Sequence, residues 1–130
     1  MDEVIFGDVE TMLFPDNDFT FDYIIFSDSL EHLLNPDQVL ERVAKLLNHN
    51  GSLLISMPNV RNFRVTFPLL FRDSWEYQDE GLLDRTHLRF FTYKSLINLV
   101  SSESISYFSM IRLQPANKDI FYFKCSFNFI

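Results

Sequence analysis

The 130 residues suffice for one domain and are too few for two. Hydrophobic residues make up 47% of the chain, enough for a packed core, and the 22% that are charged are ordinary for a globular protein. The net charge is −7, from 18 acidic and 11 basic residues, and the Lys and Arg are scattered singly. That balance excludes the basic face of a nucleic-acid binder and argues against an anionic membrane surface.

A single cysteine, Cys125, cannot form an internal disulfide, and a reducing compartment follows as the default. The start, Met1-Asp2-Glu3, lacks the basic region and apolar run of a secretory leader. The longest apolar runs, near residues 23–26 and 53–57, are too short to span a bilayer. A cytoplasmic protein is therefore expected. The fifteen Phe read first as core filler, because each buries a large area.

In chain order, Val4-Ile5-Phe6 reads as a short buried strand stopped by Gly7-Asp8. Residues 12–20, with Pro15, Asp16, Asn17 and Asp18, read as a loop. Residues 21–27 form a near-continuous apolar run, the pattern of a parallel strand covered on both faces. Asn35 suits an N-cap and Pro36 the first helical position. Val39, Leu40, Val43, Leu46 and Leu47 then recur on one helical face, and Asn50-Gly51 marks the end of that helix. Residues 52–57 form another apolar run, closed by Pro58. Together these make a βαβ unit, whose crossover should be right-handed.

Residues 61–71 predict a short helix interrupted by Pro68. Residues 73–89 read as a long polar loop carrying Trp75 and Tyr77, and loops of that length are often functional. Thr92 caps a helix running to Val100, with Leu96, Leu99 and Val100 inward. Residues 105–113 and 120–130 predict a terminal antiparallel hairpin, with Cys125 a small hydrophobe in its last strand.

Several of these segments, in this order, resemble the C-terminal part of a class I S-adenosylmethionine-dependent methyltransferase domain. Gly7-Asp8-Val9-Glu10 is similar to the family segment near adenine. Phe21-Asp22-Tyr23-Ile24-Ile25 resembles the fourth strand, and Leu30-Glu31-His32-Leu33 with Asn35-Pro36 resembles the turn that follows it. Leu53-Leu54-Ile55-Ser56-Met57-Pro58-Asn59 is similar to the fifth strand and its exit. The run from Gly81 through Asp84-Arg85-Thr86-His87 to Thr92 resembles a motif of one branch, which often accompanies glycosyltransferases and sugar or cell-surface pathways.

The resemblance implies an α/β fold over residues 1–130 as a single partial domain: a partial Rossmann-like sheet, parallel strands first, then the antiparallel hairpin. It also exposes a departure. The family opens with a strand and a Gly-rich turn that lets the backbone approach the cofactor at a helix N-terminus. This chain has three glycines and no Gly-x-Gly. Strands one and two of the family sheet have no counterpart, so the strand at residues 4–6 would lack its usual neighbour and its edge would need covering. Either a rearranged N-terminus or a homodimer pairing across that edge is expected.

The candidate sites carry two readings each. For cofactor binding, the resemblance assigns Asp8 to the adenine amino group and Val9 to the ring through its backbone amide; otherwise Asp8 is a turn residue after Gly7. Asp28, placed with the cofactor set, heads an Asp-x-x-Glu-His cluster at the carboxyl end of a strand, where ligands of open α/β sheets sit. Glu31, His32 and His87 form the catalytic set, His32 as a base or substrate-orienting group, imidazole being the side chain suited to proton transfer near neutral pH. The cluster is read as needing no metal. Its spacing also resembles the metal cluster of some O-methyltransferases, in which His87 would add a ligand for Mg, Mn or Zn. The alternative is that Glu31 and His32 merely brace the turn.

Asn59, Arg85, Arg89 and Trp75 are the substrate candidates. The Arg side chains suit an anionic or sugar acceptor, and otherwise pin the loop, with Asp84 pairing one of them. Trp75 and Tyr77 form either a substrate wall or a core edge, and Asn59 either lines the pocket mouth or caps the next turn. The implied function is methyl transfer from S-adenosylmethionine to an oxygen of a small molecule or sugar, by a domain that is truncated here and doubtful as a cofactor binder alone. The rival is a non-catalytic remnant serving as a binding or assembly module.

Overall fold

A computed structural model describes residues 4–14, 20–101, 108–113 and 120–127. Its centre is a four-stranded sheet in the order β1-β2-β4-β3, built from Phe21–Ser27 (β1), Leu47–Pro58 (β2), Phe108–Leu113 (β3) and Ile120–Phe127 (β4). β1 and β2 pair in parallel, with Tyr23 opposite Ser52 and Ser27 opposite Ser56. β4 inserts antiparallel between β2 and β3, so the expected terminal hairpin is present and joins the parallel pair to form one sheet. The 114–119 turn and the burial of Cys125 lie outside the described residues.

The crossover between β1 and β2 is α1, Pro36–Ala44. Val39, Leu40 and Val43 form its buried face and pack with Phe26, Leu53, Ile55 and Met57 of the sheet. This amphipathic stripe, at helical spacing, is what seats the helix on the sheet. Asn35 stands at the N-cap as expected, but its side chain makes no cap bond. Instead the Glu10 carboxylate accepts from the backbone N–H groups of Leu34 (3.0 Å) and Asn35 (2.6 Å). An acidic side chain borrowed from an earlier segment thus serves the helix N-terminus.

α1 is shorter than its sequence suggests. It ends at Ala44, and residues 47–51 belong to β2 rather than to the helix. Asn50, at φ 67°, and Gly51 create a register shift between the Phe21 and Tyr23 pairings. Gly51 is required there, because a Cβ would stand 2.9 Å from the Asn48 carbonyl oxygen and 3.0 Å from that of Phe21.

α2, Phe63–Arg72, is continuous through Pro68, so the expected interruption does not occur. Asn62 caps it by accepting from the Arg64 N–H, and Asp73 closes it in the left-handed region at φ 50°. α3, Tyr93–Val100, opens with a capping box in which Thr92 and Ser95 satisfy each other's backbone N–H. Leu96 and Val100 are its buried anchors, as expected.

Two expectations fail. Residues 4–6 form no strand and are exposed, Phe6 at 95%. The edge foreseen there for dimer pairing therefore does not exist; among the described residues the open edges belong to β1 and β3. β1 is also not covered on both faces. Ile24 and Phe26 point into the core, whereas Tyr23 and Ile25 are 59% and 66% exposed. Arg42 donates to the carbonyls of Val9 (3.2 Å), Glu10 (2.7 Å) and Met12 and lies over the Phe14 ring, tying residues 8–14 to α1.

Candidate functional site

The carboxyl ends of β1 and β2 open into a cleft of about 500 Å³, walled by the loop that follows α2. Its floor is set by Asp28, the first residue after β1. Asp28 adopts φ 44°, a left-handed conformation that Asp tolerates better than most residues. Ser56 on β2 holds it there: the Asp28 N–H donates to the Ser56 carbonyl (3.1 Å) and hydroxyl (3.2 Å), and that hydroxyl donates back to the Asp28 carboxylate (3.3 Å). Parallel pairing of the two strands is thus what aims the chain reversal.

The reversal continues as a 3-10 turn, Leu30–His32. Leu30 is fully buried and pulls Glu31 inward with it, to 1% exposure. The Glu31 carbonyl accepts from the N–H groups of Leu88 (2.9 Å) and Arg89 (3.1 Å), which docks the loop on the turn. Among the described residues its carboxylate has no hydrogen-bond partner on either oxygen. Burial, above all, raises its pKa, because the charged form is desolvated.

His87 is brought to Glu31 by the loop. A bridge between Gln78 and Asp84, with Gly81 at φ 93°, folds residues 78–84 into a tight turn. The His87 N–H then donates to the Asp84 carbonyl (3.0 Å). His87 Nε2 lies 3.9 Å from Glu31 Oε1, near enough for Coulombic contact and too far for a hydrogen bond. Its ring meets that of His32 edge-on, centroids 4.8 Å apart. Burial, and then the neighbouring His32, lower the pKa of His87. His32 itself is exposed, with Nδ1 3.2 Å from both the carbonyl and the hydroxyl oxygen of Thr86.

Glu31, His32 and His87, the catalytic candidates, therefore converge, and Asp28 lines the same cleft. The substrate candidates do not. Arg85 pairs with Asp79 (2.8 Å) rather than Asp84, and Arg89 donates to the carbonyls of Leu33 and Leu34, bracing the turn. Asp84 is taken by Thr86, whose hydroxyl and N–H lower its pKa. Trp75 stacks edge-on with Phe90 (5.2 Å), which also meets Tyr77; Asn59 accepts from the Arg61 N–H and caps the next turn. None of these four walls the cleft, whose lining instead includes Arg64, Val65 and Gln78, which lie outside the family-like segments, and Leu82 of the 81–92 run.

Asp8 and Val9 also stand apart from the cleft lining. The Asp8 carboxylate accepts from the Glu10 N–H (2.9 Å) and the Thr11 hydroxyl (3.2 Å), which is the turn reading. Residues 4–6 lie outside the sheet, and the sequence has no Gly-x-Gly. Among the described residues no helix is long and apolar enough to cross a membrane.

A parallel strand pair with a crossover helix, an inserted antiparallel strand and a polar cleft at the carboxyl strand ends define a Rossmann-like α/β domain of the methyltransferase type. Residues 4–102 match the model of a methyltransferase domain family, and the chain belongs to that family. Its structure is similar to that of a Pyrococcus horikoshii OT3 protein, with TM-score 0.65 at 19% identity over 95% of this chain and 58% of the other. The plantazolicin methyltransferase BpumL, solved with S-adenosylhomocysteine, gives 0.65 at 14% identity over 94% and 57%. A SAM-dependent methyltransferase of Thermotoga maritima gives 0.63 at 13% identity over 94% and 62%. The chain thus spans about three-fifths of the length of these solved structures. No curated protein matches the sequence.

Proposed function

We propose that this chain forms the acceptor side of an S-adenosylmethionine-dependent methyltransferase, the cofactor being held largely by polypeptide beyond the described residues. The observation that carries the reading is the cleft at the carboxyl ends of β1 and β2, with His32 on its wall. In such a reaction S-adenosylmethionine supplies an electrophilic methyl group. The residues here bind and orient the acceptor, and most of the acceleration of such a displacement comes from alignment.

The acceptor is proposed to be a hydroxyl of a small molecule or sugar. Asp28 and Glu31 offer acceptors to such hydroxyls, and the resemblance of residues 81–92 to a sugar-associated branch agrees with them. Thr86, by accepting from His32 Nδ1–H through its carbonyl, leaves Nε2 with a lone pair for the departing proton. Labelled methyl transfer, assayed with the polypeptide encoded upstream joined to this chain, tests the reading: product is expected, reduced at least about tenfold by His32→Ala.

The exposed residues 4–6 and the self-bonded Asp8 favour a second reading, a non-catalytic module that assembles through the open edge of β1, a homodimer included. A folded, upstream-extended chain that neither binds S-adenosylhomocysteine nor transfers methyl, yet runs as a dimer on size exclusion, selects it.

A further inference from the structure

We infer that the outward face of α2 docks on an anionic lipid surface. The inference rests on α2 and survives failure of the methyl-transfer reading. Helical spacing puts Phe63, Phe67, Leu70 and Phe71 on one face. Phe63, Leu70 and Phe71 are 71%, 74% and 72% exposed. The rings of Phe63, Phe67 and Phe71 follow one another with centroids 4.9 Å apart, a continuous aromatic ladder. Val65, the buried anchor of α2, lies on the opposite side of the helix, so the seat of α2 is what turns the ladder outward. Exposed apolar patches of this kind mark interaction surfaces.

The second observation is the charge around the ladder. The net charge of −7 argues against anionic surfaces for the molecule as a whole. This segment departs from that balance. Residues 61–72 contain Arg61, Arg64 and Arg72 and no acidic residue, and the nearest carboxylate, Asp73, follows at the C-cap. All three Arg are exposed, and the Arg72 guanidinium lies 5.8 Å from the Phe67 ring, at the margin of the ladder. Screening limits a charge to a reach of about 8 Å in physiological salt, so a surface meets chiefly the charges of the face docked on it.

These two features select the occupant. Phe and Leu carry no hydrogen-bonding group in their side chains, which matches hydrocarbon better than a polar protein surface. Guanidinium groups bind phosphate in a bidentate way, so Arg beside the ladder meets lipid headgroups where the ladder enters the acyl boundary. A second copy is a poorer match, because two-fold pairing of this face on itself sets Arg against Arg. α2 has ten residues and lies on the surface rather than crossing it. Arg64 and Val65 also line the cleft, so docking holds the cleft mouth beside the lipid.

The test is co-flotation of the 130-residue chain with two kinds of vesicle, phosphatidylcholine alone and phosphatidylcholine with about one third phosphatidylglycerol. Binding at least about tenfold tighter to the mixed vesicles is expected, weakening as salt rises from about 0.05 to about 0.5 M. Phe63→Ser combined with Phe71→Ser should weaken it by more than about tenfold. Arg61→Gln combined with Arg72→Gln should do so by about tenfold. Leu13→Ser removes a side chain that is 91% exposed in the segment tied to α1, and should change nothing. Urea midpoints establish that each variant is folded; should the Phe pair fail to fold, the Arg pair and the lipid comparison decide alone. No binding to the mixed vesicles overturns the inference, and so does binding that neither pair changes or that Leu13→Ser reduces equally. Self-association that the Phe pair abolishes, without vesicle binding, assigns the face to a second copy and overturns it too.

Discussion

Glu31 Oε1 and His87 Nε2 face each other at 3.9 Å, both buried, and neither satisfies the other with a hydrogen bond. One comes from the turn after β1 and the other from a loop more than fifty positions later, so the contact is a product of folding and not of local sequence. It is the point at which stability and chemistry pull against each other. An unpartnered buried carboxylate costs stability, and such groups persist where a ligand or a reaction uses them. At neutral pH, Glu31→Leu is therefore expected to match or exceed the wild type in stability, by up to a few kcal/mol. Urea unfolding checks it. A variant that is much less stable would assign Glu31 a purely structural bond.

Arg42 carries the N-terminal segment. Its guanidinium serves three carbonyls of residues 9–12 and covers Phe14. Arg42→Met keeps the apolar stem and removes those bonds. A loss of about 1.5–3 kcal/mol is expected, together with faster proteolysis within residues 7–14. Urea denaturation and mass mapping of the cleavage sites measure both.

The capping box of α3 isolates a smaller effect. Thr92 accepts from the Ser95 N–H at 3.2 Å, and the Ser95 hydroxyl accepts from the Thr92 N–H at 2.8 Å. Thr92→Ala should cost about 1 kcal/mol and Thr92→Asp almost nothing, because a short carboxylate caps equally well. The pair of unfolding midpoints is the check.

Asp84 provides a pH signature of the loop. Its carboxylate accepts from the Thr86 hydroxyl (2.6 Å) and N–H (2.8 Å), and these bonds lower its pKa. A folded-state pKa below the unfolded one means that the contribution is complete above the ordinary carboxylate range. It is lost as pH falls through the folded value. Carbon-detected titration by NMR should place Asp84 below the usual Asp range, and Thr86→Val should move it upward. An unmoved titration would show that the hydroxyl bond does not form.

The parallel pair and its crossover were legible because their signals are local: apolar runs of strand length at 21–27 and 52–57, and a helical stripe through Val39, Leu40 and Val43. Residues 4–6 have the same apolar character, yet a strand needs a neighbour, and with no sheet partner that run stays exposed. The end of α1 was misplaced because Asn50-Gly51 is a stop signal for either a helix or a bulged strand, and the close approach of Phe21 selects the bulge. Glu31, His32 and His87 were legible as chemistry-bearing types in family-like segments. The burial of Glu31 was not, since it depends on Leu30 anchoring the turn and on the loop returning through Leu88 and Arg89. Arg85, Arg89, Trp75 and Asn59 have side chains of types that bind substrates, and the sequence does not show that each also has a nearby structural partner.

The most direct measurement of the central claim is a calorimetric titration of S-adenosylhomocysteine into the 130-residue chain, with size exclusion alongside. An acceptor side without its cofactor cradle predicts no saturable heat in the micromolar range for the monomer, and binding once the upstream polypeptide is supplied. Stoichiometric micromolar binding by the monomeric chain alone would contradict it.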